Sequence, residues 1–212
     1  MIARRGLVAG AAAMATTRPA LALPGELAFE VFRNGSRIGR HGIVFHQDHD
    51  TTEANVTVEI AVTLGPFILY RYTHKVHEIW HNETFQTLQS ETDDGGTQYR
   101  VSATRTADGV VVDASGAARA VFVADAIPLT HWNNLCMERP LFNPQDGVAI
   151  TSKVVPRGEE IVSLANGRGI RATHYSLVGK MALDDWYDTA RLWAALKTLG
   201  ADGSNIEYRR LE

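Results

Sequence analysis

The sequence predicts an all-β protein. About ten or eleven antiparallel strands form a meander, rolled into a curved sheet, half-barrel or barrel, with one short helical insert near residues 127–136. Three observations carry this expectation. The stretch TEANVTVEIAVTL alternates strictly, with Val56, Val58, Ile60, Val62 and Leu64 on one face and Thr57, Glu59 and Thr63 on the other. Turn dipeptides recur along the chain at roughly a dozen residues. Outside the insert there is no sustained period near 3.6 residues.

The elements follow in order. Leu27, Phe29 and Val31 alternate with polar neighbours, and Asn34-Gly35 then supplies a two-residue hairpin turn. Residues 37–47 return as a second strand, and Asp48-His49-Asp50 turns the chain into the third. Gly65-Pro66 marks a bulge or corner, because proline has no N–H to give a ladder. The next strand, FILYRYTHKVHEIWHN, sets Ile68, Tyr70, Tyr72, His74, Val76 and Trp80 against Arg71, Lys75, His77 and His81. Asn82-Glu83, Gly95-Gly96 and Asp108-Gly109 punctuate three more strands. After residue 126 the alternation stops for about twenty residues, and it resumes from Val148 to Leu211. Turns are expected near Asn166-Gly167, Gly179-Lys180, Thr189-Ala190 and Ala201-Asp202-Gly203. So many strands in one domain must curl, since large open twisted sheets are unfavourable.

The N-terminus reads as an export signal over residues 1–22. Arg4 and Arg5 precede an uncharged run from Gly6 to Thr17, and Ala20-Leu21-Ala22 offers a small-x-small cleavage site. The arginine pair followed by Leu7 and Val8 resembles a twin-arginine signal, and Arg18 near the cleavage region fits that route. The expected mature chain is a single β-roll or barrel domain, residues 23–212, in the periplasm. The apolar run is too short for a membrane-spanning helix, so no transmembrane segment is expected. Setting aside Arg4, Arg5 and Arg18 makes the chain more acidic than its formal net charge of −3. No Lys/Arg stripe points to nucleic acid. Cys136 is the only cysteine, which rules out an intramolecular disulfide.

Several clusters invite a chemical role. His74, His77 and His81 have a metal-like spacing, but on a strand His74 faces away from the other two. His77 and His81 would lie roughly 13 Å apart, too far for one ion. His46 to Asp50 reads as a polar hairpin tip, and Asp184 and Asp185 point to opposite faces of a strand. In PLTHWNNLC, a helix would separate His131 from Cys136 by roughly 140°, which argues against a thiol nucleophile and its base. Pro128 would open that helix, Trp132 and Leu135 would share its buried stripe, and Asn133-Asn134 would satisfy backbone groups near its end. Trp132 would anchor it in the barrel mouth. The sequence contains none of GxSxG, GxGxxG, a P-loop, HExxH or CxxC. No residue is therefore assigned as catalytic or metal-binding, and no cofactor is implied.

The segments RRGLVAG, FEVFRNGSRIGRH, LGPFILYRYTH, ETDDGGTQYRVSA, LTHWNN, and DDWYDTARLW through IEYRR resemble an uncharacterised exported bacterial family catalogued as domain of unknown function 6134. The likeness covers nearly the whole mature chain. It implies no established activity. It does imply that a His/Tyr–Trp–Asn element is shared and that Cys136 is not part of it. More loosely, the plan is similar to other exported β-rolls and to half-barrel periplasmic lipoprotein carriers.

The expected function is to bind an apolar or amphipathic ligand, a lipid or envelope component, inside the roll. Candidate interior or mouth residues are Tyr70, Tyr72, Trp80, Tyr99, His131, Trp132 and Asn133. A second expectation is a hydrolase-like enzyme with His131, Asn133 and Asn134 at the mouth and Asp185 across from them. A third is a non-catalytic envelope accessory protein acting through its outer surface. The sequence gives neither the ligand nor the oligomeric state.

Overall fold

A computed structural model describes residues 22–212; the segment expected to be an export signal, residues 1–22, lies outside the described residues but for Ala22. The fold is all-β. Thirteen strands form one antiparallel sheet, rather than ten or eleven. Chain order is β1 (Glu26–Arg33), β2 (Ser36–Asp48), β3 (Thr51–Leu64), β4 (Phe67–His81), β5 (Thr84–Asp94), β6 (Thr97–Thr106), β7 (Gly109–Ala114) and β8 (Ala120–Phe122). After the insert come β12 (Lys153–Ser163), β13 (Gly169–Val178), β14 (Leu183–Asp188), β15 (Trp193–Leu199) and β16 (Asn205–Arg210). A strand as short as β8 has no room to display alternation, which explains part of the shortfall.

The order across the sheet is β12-β13-β14-β15-β16-β1-β2-β3-β4-β5-β6-β7-β8. The first and last strands pair near the middle, with Val31 opposite Tyr208, while β8 and β12 are the edges. The sheet is thus barrel-like but not a closed barrel. The connection between its two edges is the insert itself.

The turns form at the dipeptides the sequence marks. Asn34 and Gly35 both have positive φ, 49° and 82°, as the tight hairpin between β1 and β2 requires. Asn82 and Glu83 do the same between β4 and β5, at 47° and 58°. Gly39 is needed for another reason. A Cβ there would sit 2.1 Å from the carbonyl oxygen of Glu59 on the neighbouring strand, beside the bulge at Ile38 of β2.

The insert is not the helix expected. Its first part is extended: β9 (Ile127–Pro128) runs parallel to β10 (Leu141–Phe142), which pairs with β11 (Ala149–Ile150) in a small three-stranded sheet. Only Asn134–Met137 is helical, as a single 3-10 turn. His131 takes φ +46°, in the left-handed region, which stops a helix from starting at Pro128. Asn133 caps the start of the turn instead of its end, its side chain accepting from the Leu135 N–H at 3.1 Å.

The insert packs into the roll as a plug. Ile127, Leu129, Trp132, Leu135, Cys136, Met137, Leu141 and Phe142 join the inward faces of the strands in one apolar core. Trp132 lies edge-on to Phe45 and Trp80, at 5.2 and 5.5 Å between ring centroids. These partners sit at the far end of their strands from Tyr70, so Trp132 anchors the closed end rather than the mouth. Phe142 meets Phe85 and Phe122 at 5.9 and 5.6 Å. Trp186 and Tyr187, neighbours on β14, are both buried. Trp186 belongs to a small second cluster with Ala172, Ala194 and Ala195.

Because Phe142 is fully buried between sheet and plug, Phe142→Ala should destabilise the fold by about 3–5 kcal/mol. Urea unfolding followed by tryptophan fluorescence reads this directly. A loss below about 1 kcal/mol would mean the plug is not an integral part of the core.

Candidate functional site

The plug fills only the closed end of the roll. Above it lies a cavity of about 910 Å³, the size of a small-molecule site. The gradient of burial along β3 and β4 shows its depth. On the inward face Val58 is buried, Ile60 and Tyr72 are half-buried, and Leu64 and Tyr70 are exposed. Val56, Val58, Ile60, Leu196 and Ile206 form apolar walls. Leu69, Tyr70, Leu199 and Asp202 stand at the rim. The β3–β4 hairpin carries Leu64, Phe67, Ile68 and Leu69 at the same end, each more than half exposed.

Polar groups gather on the floor, where the plug meets the strands. Glu78 on β4 is 1% exposed. Thr130 of the plug donates its hydroxyl to Oε1 at 2.6 Å, and the Trp80 indole N–H donates to Oε2 at 2.8 Å. Burial pushes the Glu78 carboxyl up to about 7, against the pull of Thr130, Trp80 and the indole of Trp132. No lysine or arginine is paired with it among the described residues.

Three imidazoles share the floor. His41 is buried, and no hydrogen bond reaches its Nε2. Burial, then the nearby His131 and His74, hold its pKa well below the usual value. Nδ1 of His74 lies 2.7 Å from the Thr92 hydroxyl, and burial with a smaller push from His131 brings its pKa to about 4. Nδ1 of His131 lies 2.9 Å from Oδ2 of the fully buried Asp185. The other oxygen of Asp185 accepts the Trp193 indole N–H at 2.9 Å. His131 also stacks on Trp193, with rings 5.1 Å apart and 17° from parallel. A buried carboxylate thus fixes the orientation of an imidazole that faces a cavity.

Cys136 belongs to a different contact. Its Sγ is 3.3 Å from the Tyr187 hydroxyl, and burial pushes the thiol far above its usual range. Such a thiol is a packing group, not a nucleophile.

The rim is tied by polar bonds of its own. The Tyr70 hydroxyl donates to Asp94 at 2.6 Å, and Gln145 of the plug bridges Asp94 and the Tyr72 hydroxyl. Arg33 and Asp202 form an ion pair.

The candidate residues therefore separate. Tyr70, Tyr72 and His131 lie on the cavity wall. Trp80 and Trp132 are packed beneath the floor, and Asn133 is spent on its backbone cap. Tyr99 is half-buried on β6 opposite Thr92, away from the cavity lining. His74 faces inward, whereas His77 is half-buried within 3.7 Å of Glu53 and His81 is exposed. Glu78 and His41 went unrecognised as floor residues. Both stand in phase with inward apolar neighbours, Glu78 between Val76 and Trp80 and His41 two before Ile43, which is the signal that marks them.

The fold and cavity define a barrel-like β-roll with a plugged end and an open mouth. The overall fold is similar to that of a beta-barrel-like protein of domain of unknown function DUF1849 from Brucella abortus. Its crystal structure is similar to this chain with a TM-score of 0.62 at 8% identity, covering 88% of this chain and 95% of that one. The particular family is given by sequence: the chain belongs to Domain of unknown function (DUF6134), whose profile matches residues 29–211. No curated protein matches it.

Glu78 and the two depressed histidines should give opposing pH dependences. Glu78 is raised in the fold, so it favours the folded state below about pH 4.5, and that contribution is lost as pH rises to about 7. Over that window it amounts to about 3 kcal/mol. His41 and His74 are depressed, so their burial weakens stability on acidification below about pH 6.5. In Glu78→Gln the histidines act alone, and stability should climb more steeply between pH 5 and 6.5 than in the unsubstituted protein. Urea titrations across that range check it; parallel curves would show that Glu78 is not buried in its neutral form.

Proposed function

We propose that this is an exported, periplasmic β-roll that binds an apolar or amphipathic ligand, a lipid or envelope component, in its cavity. The observation that carries the reading is the combination of about 910 Å³ of space, apolar walls and a small set of polar groups at one end. The exposed apolar hairpin at the mouth adds to it. A ligand leaving the cavity would meet Leu69 and Phe67 before open water.

Native mass spectrometry of the gently purified mature chain tests the reading. An adduct of lipid-like mass is expected. Filling the cavity with Ile60→Trp should remove that adduct while the fold remains cooperative. If the purified chain carries no adduct and takes up none from an envelope lipid extract, the reading falls.

A second reading, an enzyme, is favoured by one observation, the His131–Asp185 pair facing the cavity. In that reading His131 acts as a general base on water or on the bound ligand, with Asp185 positioning it. Acyl p-nitrophenyl esters of varied chain length should then be hydrolysed, with a loss of about 10²-fold or more in His131→Gln. Hydrolysis no faster than in buffer would dismiss it for esters.

A further inference from the structure

We propose that the β3–β4 hairpin inserts into the interface of a phospholipid bilayer and so seats the mouth of the roll on the membrane surface. The proposal concerns the outside of the roll and stands whether or not the cavity holds a lipid.

The first support is the shape of the hairpin. The ladder between β2 and β3 stops at Gly39–Ile60, and the ladder between β4 and β5 starts at Tyr72–Asp94. Beyond those pairs, β3 and β4 form a ladder only with each other, through Ala61–Arg71, Val62–Tyr70, Thr63–Ile68 and Leu64–Phe67. These pairs carry a two-stranded ribbon about 13 Å past its last pairing with either neighbour. Its base is tied by the Gly95 N–H bond to the Arg71 carbonyl and by the Tyr70–Asp94 bond. The outer part has no flanking strand, and an isolated two-stranded ribbon is marginally stable in water.

The second support is its chemistry. No charged residue occurs from Ile60 to Tyr70. Leu64 and Phe67 continue the inward face of their strands, Ile68 lies on the outer face, and Leu69 is the extra residue of a bulge. All four are more than half exposed. Leu69 also lines the cavity, and Leu199 is exposed on the same rim. Pro66 at the tip has no N–H to leave unpaired. Arg71, exposed at the base, is the first charge below the tip, placed to meet lipid phosphates.

These features favour a bilayer over other occupants. A narrow ribbon that is apolar on both faces needs apolar surroundings on both sides. A fluid bilayer supplies them, whereas a folded partner would need a matching cleft. The four side chains offer roughly 500 Å², short of the about 800 Å² per partner of a standard protein interface. The ribbon's edge N–H and C=O groups still need water or headgroups. The insertion is therefore interfacial, to a depth of about 5–10 Å, and not a span. The segment preceding β1 leaves from the closed end, where the Gly25 carbonyl accepts from the Phe45 N–H.

The experiment floats the mature chain through a sucrose gradient with vesicles of phosphatidylethanolamine and phosphatidylglycerol. The chain should rise with the vesicles and stay with them at high salt, because the attachment is apolar. A nitrobenzoxadiazole label on Ile68→Cys should brighten and shift to the blue on vesicle addition; Cys136 is buried and escapes the label. Leu64→Asp combined with Phe67→Asp should weaken vesicle binding about tenfold or more, with the urea midpoint unchanged because both side chains are exposed. The proposal is overturned if the chain stays at the bottom of the gradient, if the label reports water on the floated chain, or if the aspartate pair floats as well as the parent. It is likewise overturned if sedimentation shows a dimer that the aspartate pair dissolves while nothing floats, since the hairpin then serves a second copy of this chain. Native mass spectrometry separates this proposal from the ligand-binding reading. A lipid adduct without flotation overturns this proposal alone, and flotation without an adduct supports it while that reading falls.

Discussion

A thirteen-stranded antiparallel sheet cannot lie flat, and rolling it encloses more volume than its own inward side chains fill. The rest of the structure answers to that constraint. The chain order places β1 beside β16 and leaves β8 and β12 as edges, so the segment joining the edges is free to enter the roll. It does so as the plug, whose apolar side chains complete the core at one end. The other end has no such filler, and the cavity is what remains. Core and cavity are consequences of one topology, divided by where the insert stops.

The division is made by polar contacts. A plug held only by apolar packing could slide along the roll axis, since such packing has little direction. The Thr130–Glu78 hydrogen bond fixes its depth, and the Trp80 bond on the other oxygen holds the carboxyl still. Asp185 does the same on the opposite wall, gripping His131 of the plug and Trp193 of β15 with its two oxygens. At the rim, Ser90 donates to the Pro144 carbonyl at 2.6 Å and Gln145 engages Asp94, so the returning arm of the plug is tied to β5. Each tie buries a polar group at the boundary between filled and open space. The functional candidates and the structural ties are therefore the same residues.

Much of the frame was legible because strands and hairpin turns have local signatures. The alternation of Val56, Val58 and Ile60 and the Asn34-Gly35 pair each act within a few residues, and both appear where the pattern places them. The insert was not legible in the same way. Its residues 127–142 alternate with nothing, because a plug surrounded by sheet is buried on several sides and has no polar face to mark a period. Spacing suggested a helix there, and the left-handed backbone at His131 decided otherwise. The pairing of His131 with Asp185 joins positions 54 residues apart. A sequence can nominate the two residues but cannot measure their separation. Glu78 is a different case. Its phase on β4 pointed inward, yet a carboxylate on an apolar face runs against the general rule that charges stay outside. Such exceptions concentrate at functional or strained places.

The strained backbone at His131 bears on which role that residue plays. A non-glycine residue in the left-handed region costs free energy and persists only where its surroundings enforce it. Here they do, through the Asp185 bond on one side of the ring and the Trp193 stack on its face. With φ at +46°, the chain reverses direction between Thr130 and Trp132, so the three consecutive side chains reach three different partners: Glu78, Asp185 and the Phe45–Trp80 pair. A helix through the same residues would turn them by equal steps and could not satisfy all three. The strain is thus accounted for by anchoring alone, without any appeal to catalysis. That is why ligand binding, which needs only the cavity and its floor, is the function we propose for this chain ahead of chemistry.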